Sequence, residues 1–408
     1  MDTFLQALFE RLISFAAASL GNCSLSTENT IRFRKIQYMK FKSAIIALIS
    51  LLTVCGCAAE QSNLQKYPEI AQSDFAILGQ SYAYVMDISE EGELKRLCSI
   101  PLDINSRKLM DWAFVKGNDC VYSYSSANSD ITVNLVRIDN NDYSVREKKL
   151  DEYGIYSYCA DDEYYYAAYA YTDRTDFVKY DSQLNEKEKT SVEADDCMQM
   201  PVSMQMKNGR IYLVMGKIPN GGEYGEISNH LLIMDTSFHV ESETDLRFTD
   251  GAYNDSVIAG DKMYLTVRTK GFDDQGAAYP ANEIHIFDLN TMEISDEVIY
   301  LSESCPEYIE YDPLHDNLVI RHNRDRLGDC IFTVFSLTDR NEVQIRLSDW
   351  SDGEETPLSA MDCIAEDAYY ILADNILLVY DPLTSEISKY DLSEYAMNAP
   401  HSVIARTK

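Results

Sequence analysis

The sequence predicts an all-β chain of seven consecutive units, each of four antiparallel strands, the arrangement of a seven-bladed β-propeller. Three observations carry this. A strand phrase that in six of its seven copies ends in Asp recurs at steps of 52, 42, 54, 53, 48 and 45 residues, a mean of 49. A turn followed by an apolar and usually tyrosine-bearing strand precedes each copy from the second onward. The composition, 29 Tyr against 17 Gly and 10 Pro in 408 residues, suits half-buried pleated strands joined by ordinary turns. At 46% apolar and 25% charged residues, the chain has material for a packed core and is not a disordered polymer.

The elements follow in chain order. Residues 43–54 form an apolar run of about twelve, preceded by Lys40 and Lys42 and further back by Arg32, Arg34 and Lys35. A basic segment followed by such a run is the pattern of an export signal, too short for the roughly 20 residues that span a bilayer. Directly after it stands Val54-Cys55-Gly56-Cys57. With Val three and Gly one residue before Cys57, it resembles the lipobox of bacterial lipoproteins. The resemblance implies cleavage before Cys57 and a diacylglycerol on its thiol. Cys55 is the rival site, disfavoured by the bulky Val54 next to it; the plain alternative is a buried apolar helix with a chance cysteine.

The apolar run stands too far from residue 1 for an ordinary signal, whereas Met39-Lys40-Phe41-Lys42 opens one of normal length. Translation is therefore expected to start at Met39, with residues 1–38 an upstream stretch, or alternatively a retained cytoplasmic extension. The expected organisation is a signal peptide over 39–56, a lipidated polar tether over 57–73 and the propeller domain over 74–408. Export to the outer face of the bacterial cytoplasmic membrane follows from the lipobox resemblance.

Charge restricts the partners. The net charge is −32, and loss of residues 1–56 removes six basic and three acidic residues, leaving 29 and 64 and a net charge of −35. Such a surface repels nucleic acid and anionic headgroups alike, so membrane attachment is expected through the lipid only. A monomer is expected.

The seven third strands are Tyr84–Asp87, Leu135–Asp139, Phe177–Asp181, Leu231–Asp235, Ile284–Asp288, Phe332–Ser336 and Leu377–Asp381. The terminal Asp has a mechanical purpose: its carboxylate accepts backbone N–H groups of the following hairpin turn. Turns at Gly117–Asp119, Asp161–Glu163, Asn208–Gly209, Gly260–Asp261, His315–Asp316 and Glu366–Asp367 open the second strands, whose tyrosines are expected to pack between blades. Stretches such as Ile286-Phe287-Asp288-Leu289-Asn290-Thr291 and Val379-Tyr380-Asp381-Pro382-Leu383-Thr384 resemble YVTN-type and WD-repeat-like propellers over residues 75–408. The likeness is one of architecture. The Trp-Asp and Gly-His pairs of true WD repeats are missing, and two tryptophans, Trp112 and Trp350, are too few for a quinone-cofactor propeller. Only residues 74–80 precede the first hairpin, so His401–Arg406 is expected to close the ring as the innermost strand of the first blade.

Reactive constellations are sparse. Gly79-Gln80-Ser81-Tyr82-Ala83 lacks the last glycine of a nucleophile elbow and enters a strand hairpin. No phosphate-cradling glycine loop and no metal-ligand spacing occur among the six histidines, so no cofactor and no metal are expected. Asp139-Asn140-Asn141-Asp142 and Asp161-Asp162-Glu163 lack the spaced ligands of a calcium loop and suit solvated hairpin tips. Apart from Cys57, the seven cysteines after residue 57 are an odd number placed in or beside strands, which favours free thiols, although an exported compartment permits disulfides.

The functional hint is loop length. The second-to-third connections Lys217–Asn229, Lys270–Asn282 and Arg321–Asp329 are long, and long loops on a rigid scaffold are where binding residues concentrate. They offer Tyr224, Tyr279, Arg321, His322, Arg324 and Arg326 as ligand-binding residues, or else they are plain decoration. The expected function is a noncatalytic binding or scaffold protein for a protein, peptide or glycan of the cell envelope. The rival is a glycan hydrolase or lyase using carboxylates at the channel mouth.

Overall fold

Leu231, Leu232, Ile233 and Met234 are consecutive, and all four are buried. Side chains alternate across a strand, so burial at both parities means that protein covers both faces of the sheet. The same holds for strands such as 165–169, 211–216, 331–335 and 369–373 of the computed structural model, which describes residues 62–79, 81–102, 110–115, 119–125, 133–150, 156–194, 196–220, 227–249, 251–273, 277–323, 327–351, 361–365, 367–397, 400 and 402–406.

The described strands form seven four-stranded antiparallel sheets. Sheet 1 combines β1 (Phe75–Leu78), β2 (Tyr82–Ile88) and β3 (Leu94–Pro101) with β28 (Ser402–Ala405), and sheet 2 is β4 (Met110–Val115), β5 (Asp119–Ser125), β6 (Val133–Asp139) and β7 (Val145–Lys149). Sheet 3 contains β8 (Ser157–Ala160), β9 (Tyr164–Ala170), β10 (Arg174–Asp181) and β11 (Glu186–Glu193). Sheet 4 contains β12 (Cys197–Lys207), β13 (Arg210–Pro219), β14 (Ser228–Asp235) and β15 (Val240–Asp245). Sheet 5 is β16 (Tyr253–Ala259), β17 (Lys262–Phe272), β18 (Ala278–Asp288) and β19 (Glu293–Tyr300). Sheet 6 is β20 (Pro306–Asp312), β21 (Asn317–His322), β22 (Ile331–Ser336) and β23 (Glu342–Arg346), and sheet 7 is β24 (Met361–Ile364), β25 (Tyr369–Ala373), β26 (Ile376–Tyr380) and β27 (Ile387–Asp391). In sheets 2 to 7 the strands pair in chain order. Sheet 1 is the exception, with β28 antiparallel to β1 and Ile404 opposite Ala76.

Apolar clusters fill the space between successive sheets. Leu231 and Ile233 pack with Tyr253, Leu265 and Phe287 of sheet 5, while Leu232 and Met234 pack with Tyr166, Ala168 and Phe177 of sheet 3. The first sheet divides its residues the same way. Ala76, Val85 and Ile404 meet Val136 and Ile138 of sheet 2, whereas Phe75, Tyr84 and Val403 meet Tyr370, Leu372 and Leu377 of sheet 7. Tyrosines of the second strands, among them Tyr165, Tyr166, Tyr212, Tyr264, Tyr369 and Tyr370, are buried in these clusters as packing groups.

The polar stretch expected to be a tether is folded over most of its length. Asn63–Lys66 is a helical turn and Pro68–Gln72 a 3-10 turn, and Ile70 is fully buried between sheets 1 and 2. Burial of Ile70 contributes about 2 kcal/mol, and Tyr67 on the same cluster, the Ser73 hydroxyl on the Ile70 carbonyl and Arg406 on the Ala71 carbonyl add to it. The folded unit begins at Ser62.

The hairpin turns after the third strands are built as the Asp periodicity implies. Asp139, Asp181, Asp235, Asp288 and Asp381 each accept the backbone N–H two residues on, at 2.7 to 2.9 Å, and Ser336 uses its hydroxyl for the N–H of Asp339. Three or four residues on, Tyr143, Leu184, Phe238, Met292, Arg340 and Ser385 adopt φ between 55° and 63°, their N–H groups returning to the carbonyl of the same Asp or Ser. A left-handed residue other than glycine costs about 1 kcal/mol. Tyr143, Leu184 and Phe238 offset this by dropping fully buried side chains into the neighbouring cluster. The first hairpin departs from the scheme and is braced instead by Ser89 and by Asp74, which accepts the N–H of Ile88.

Two outcomes follow. Burial raises the Asp381 carboxyl, but the N–H groups of Leu383 and Thr384 and the Thr384 hydroxyl outweigh it and hold the group below its ordinary value. Its stabilisation is therefore present above pH about 4 and lost as pH falls through the depressed folded value. Asp381→Ala should lower stability at pH 7 by about 1 kcal/mol, with the gap to the parent narrowing in urea unfolding toward pH 2; a gap independent of pH contradicts this. Ile404→Ala should cost about 3 kcal/mol in the same assay, and a change under about 0.5 kcal/mol would show that the Ile404 side chain of β28 is not packed against sheet 2.

Candidate functional site

The first strands of sheets 3 to 6 surround a cavity of about 600 Å³. Its wall comes from β8, β12, β16 and β20, with Tyr156 just ahead of β8, Arg268 from β17 and Arg321 from β21. The first strands bring both polar and apolar residues to this space, among them Gln205, Asn254, Met200 and Val202. In β16, Tyr253, Asn254, Asp255 and Val257 line the cavity, and Tyr253 is at the same time buried against the neighbouring sheet.

Asp255 fastens three sheets together. One carboxylate oxygen accepts the Ser203 hydroxyl of β12 and the Ser256 N–H, both at 2.8 Å, and the other accepts the Ile309 N–H of β20 at 3.0 Å. Burial pushes its pKa up to about 6 against the opposing pull of these donors and of the Arg321 charge. Glu307 accepts Arg268 Nη1 at 2.7 Å and Asn323 Nδ2 at 2.8 Å. The Arg321 guanidinium lies 4.2 Å from the centre of the Tyr308 ring, a cation–π contact within the wall.

A Tyr–His–Glu series runs away from the cavity. The Tyr253 hydroxyl is 2.9 Å from His285 Nδ1, and His285 Nε2 is 3.0 Å from Glu283. Burial raises the Tyr253 phenol and lowers His285, so the tyrosine stays protonated at neutral pH and is not an activated nucleophile. Two hydroxyls are conspicuous for the opposite reason. Ser157 Oγ and Tyr158 Oη are buried and have no hydrogen-bond partner among the described residues, the Tyr158 ring packing with Tyr165, Val178 and Tyr180 between sheets 2 and 3.

The residues proposed from loop length are distributed unevenly around this space. Cys57, Tyr224, Arg324 and Arg326 lie outside the described residues. Arg321 reaches the cavity wall, but from a strand and not from a loop. Tyr279 is 53% exposed near the start of β18 and is not among the residues lining the cavity. His322 is 2% exposed; its Nδ1 sits 2.7 Å from the Ser304 carbonyl, which only accepts, so Nε2 takes the Thr333 hydroxyl at 2.8 Å. Burial lowers its pKa, and the ring is held neutral as a wall brace behind Arg321.

The connections themselves are shorter than the sequence suggests. β13 runs to Pro219 and β14 begins at Ser228, while β17 runs to Phe272 and β18 begins at Ala278. Glycine, proline and charge in these segments read as loop, but ladder pairing such as Thr269 with Pro280 continues through them. Of the acidic tips, Asp139 and Asp161 are occupied with N–H groups of their own turns. Cys98, Cys159 and Cys197 are free thiols. Sequence reasoning missed Asp255, Arg268, Glu307 and Tyr308. The available signal was a charged residue inside an otherwise apolar strand, as Arg268 is after Leu265-Thr266-Val267.

No protein-family model matches the chain, and no curated protein matches it. Among solved structures, the chain is similar to a candidate 6-phosphogluconolactonase from Bacteroides uniformis, with 11% identity and a TM-score of 0.52 over 82% of this chain and 100% of that one. Other matches include a second protein of that description from Bacteroides fragilis (10% identity, TM-score 0.49, 82% of this chain and 98% of that one) and the Pan2 WD40 domain of Neurospora crassa (10%, 0.42, 74% and 86%). At this identity the likeness is one of fold, and the architecture is that of a β-propeller.

Asp255 supplies a test of the wall. Its folded pKa of about 6 exceeds the unfolded value of roughly 3.9, so its contribution to stability is complete below pH about 4 and is lost as pH rises through 6. The loss is on the order of 2 kcal/mol. Asp255→Asn should therefore gain on the parent by that amount between pH 4 and 7 in urea unfolding. A constant difference across that range would contradict the assignment.

Proposed function

We propose that this chain is an exported, lipid-anchored lipoprotein whose seven sheets are the blades of one closed propeller, and that it acts as a noncatalytic binding or scaffold protein at the outer face of the bacterial cytoplasmic membrane. Its partner is a cell-envelope protein, peptide or glycan, engaged at the mouth of the central cavity. The observation that carries the noncatalytic reading is the state of the cavity carboxylates. Asp255 is occupied by three donors from the protein and Glu307 by two, so neither is presented as the acid or nucleophile that glycoside cleavage needs. The pairing of β28 with β1, and the shared cluster of sheets 7 and 1, support closure of the ring. The description of the Bacteroides relative supplies no activity here, at 11% identity.

The anchor rests on Val54-Cys55-Gly56-Cys57 after a short apolar run. Cys57→Ser should move the protein from the membrane fraction to the soluble exported fraction, with unchanged thermal stability. Continued acylation of the variant would transfer the anchor to Cys55, and an unprocessed cytoplasmic product from the parent gene would remove it altogether. Deleting codons 1–38 should leave export intact.

A further inference from the structure

We propose that the turn-bearing end of sheets 6, 7 and 1 faces the lipid bilayer, with Leu314 and Leu383 seated among the headgroups and upper acyl chains; this rests on the lipid anchor at Cys57. The leading observation is a tetrapeptide used twice. Tyr311-Asp312-Pro313-Leu314 opens the turn from β20 to β21, and Tyr380-Asp381-Pro382-Leu383 the turn from β26 to β27. In each, the Asp carboxylate accepts the leucine N–H, at 2.8 and 2.7 Å, and the leucine side chain is left in solvent, 64% exposed at Leu314 and 80% at Leu383. The turn itself asks for no leucine. In the other hairpins built to this scheme, the position two after the Asp or Ser is polar: Asn141, Gln183, Ser237, Asn290 and Thr338. Leu383 is the exception, and the turn of Leu314 adjoins it. The Tyr369 hydroxyl of sheet 7 donates to Asp312 at 2.5 Å, the Tyr369 ring stacks on Tyr380, and His315 acts electrostatically on Asp381.

The route of the chain identifies what lies opposite. Connections alternate between the two ends of an antiparallel sheet, so turns from first to second and from third to fourth strands share one end. Asp74, just ahead of β1, accepts the Ile88 N–H at the close of β2, and Phe75 meets Tyr370 of sheet 7 with ring centres 4.5 Å apart. The chain therefore enters sheet 1 at the end that carries Leu383 in sheet 7. Its folded part begins at Ser62, and the five residues from Cys57 to Ser62 reach at most about 18 Å. An anchor held so short brings this end of the sheets to the membrane. Exposed side chains sort the same way. Tyr82, Tyr156, Tyr279 and Tyr300 stand at the opposite end, whereas the aliphatic Leu314, Leu383 and Val240 stand at this one. The acyl chains supply attachment and the leucines direction, since burying both favours one orientation of an anchored domain by roughly a hundredfold. Asp312, Asp316 and Asp381 beside them make anionic headgroups poor neighbours, so the occupant is zwitterionic lipid.

Reconstitution of the full acylated protein, taken from the membrane fraction, into phosphatidylcholine vesicles tests this with tryptophan reporters read against the parent, which carries Trp112 and Trp350. Thr384→Trp, beside Leu383, should add emission that brominated phosphatidylcholine quenches by about half or more, whereas the emission added by Tyr279→Trp should be quenched by less than about a tenth. Leu314→Ser together with Leu383→Ser should remove the quenching at 384 and leave the melting temperature level, because both leucines are mostly exposed. Quenching should also fall as phosphatidylglycerol replaces phosphatidylcholine. No quenching at 384, equal quenching at both sites, quenching that survives the two serines, or quenching that rises with phosphatidylglycerol would overturn the docking face and leave the anchor standing. So would a dimer of the soluble Cys57→Ser form that the two serines disperse, since the leucines would then belong to a contact with a second copy. A membrane-fraction protein whose mass carries no acyl chains would overturn the anchor itself, and this face with it.

Discussion

Burial of both faces of each sheet is the constraint on which the structure depends. A strand such as Leu231-Leu232-Ile233-Met234 sends alternate side chains into two different clusters, so its sheet is incomplete without a neighbour on either side. A linear stack of such sheets would leave an apolar face bare at each end. Here the end faces belong to sheets 1 and 7, and they cover one another: Phe75, Ile77 and Val403 pack with Tyr370, Leu372 and Leu377. The pairing of β28 with β1 places strands more than 300 residues apart in one sheet.

The same constraint makes the cavity. The first strands of sheets 3 to 6 lie beside one another around it, and they bring polar and apolar residues to it alike. Asp255 shows the consequence, since its two oxygens draw on β12, β16 and β20 at once. The cavity wall and the packing of the sheets are therefore mechanically one object. A substitution at Asp255 changes both.

Much of the fold was legible because it is periodic. The seven third strands mark the turns, and the carboxylate that ends five of them, or the hydroxyl of Ser336, signals a local hydrogen bond that needs no tertiary context, whereas Asp87 of the first does not follow the scheme. The left-handed residues after these turns were not legible, because Tyr143, Leu184 and Phe238 are there for their burial and not for their turn propensity. The site was legible only in part. Arg321 was noticed for its charge in an acidic chain, but Tyr308 and Glu307 are separated from Asp255 by about fifty residues and from Arg268 by about forty, and pairing at one repeat's distance is not visible without the three-dimensional packing. His322 looked like a ligand group because exposure cannot be read from its neighbours; its two ring bonds to Ser304 and Thr333 make it part of the wall.

Native-state amide hydrogen exchange tests the central claim, that mutual coverage of sheets 1 and 7 holds the whole together. With the closure proposed for this chain, the amides paired between β1 and β28 should exchange as slowly as those of β14, and lose protection in the same denaturant transition. Exchange of the β28 amides by independent opening, far below the free energy that protects β14, would contradict it.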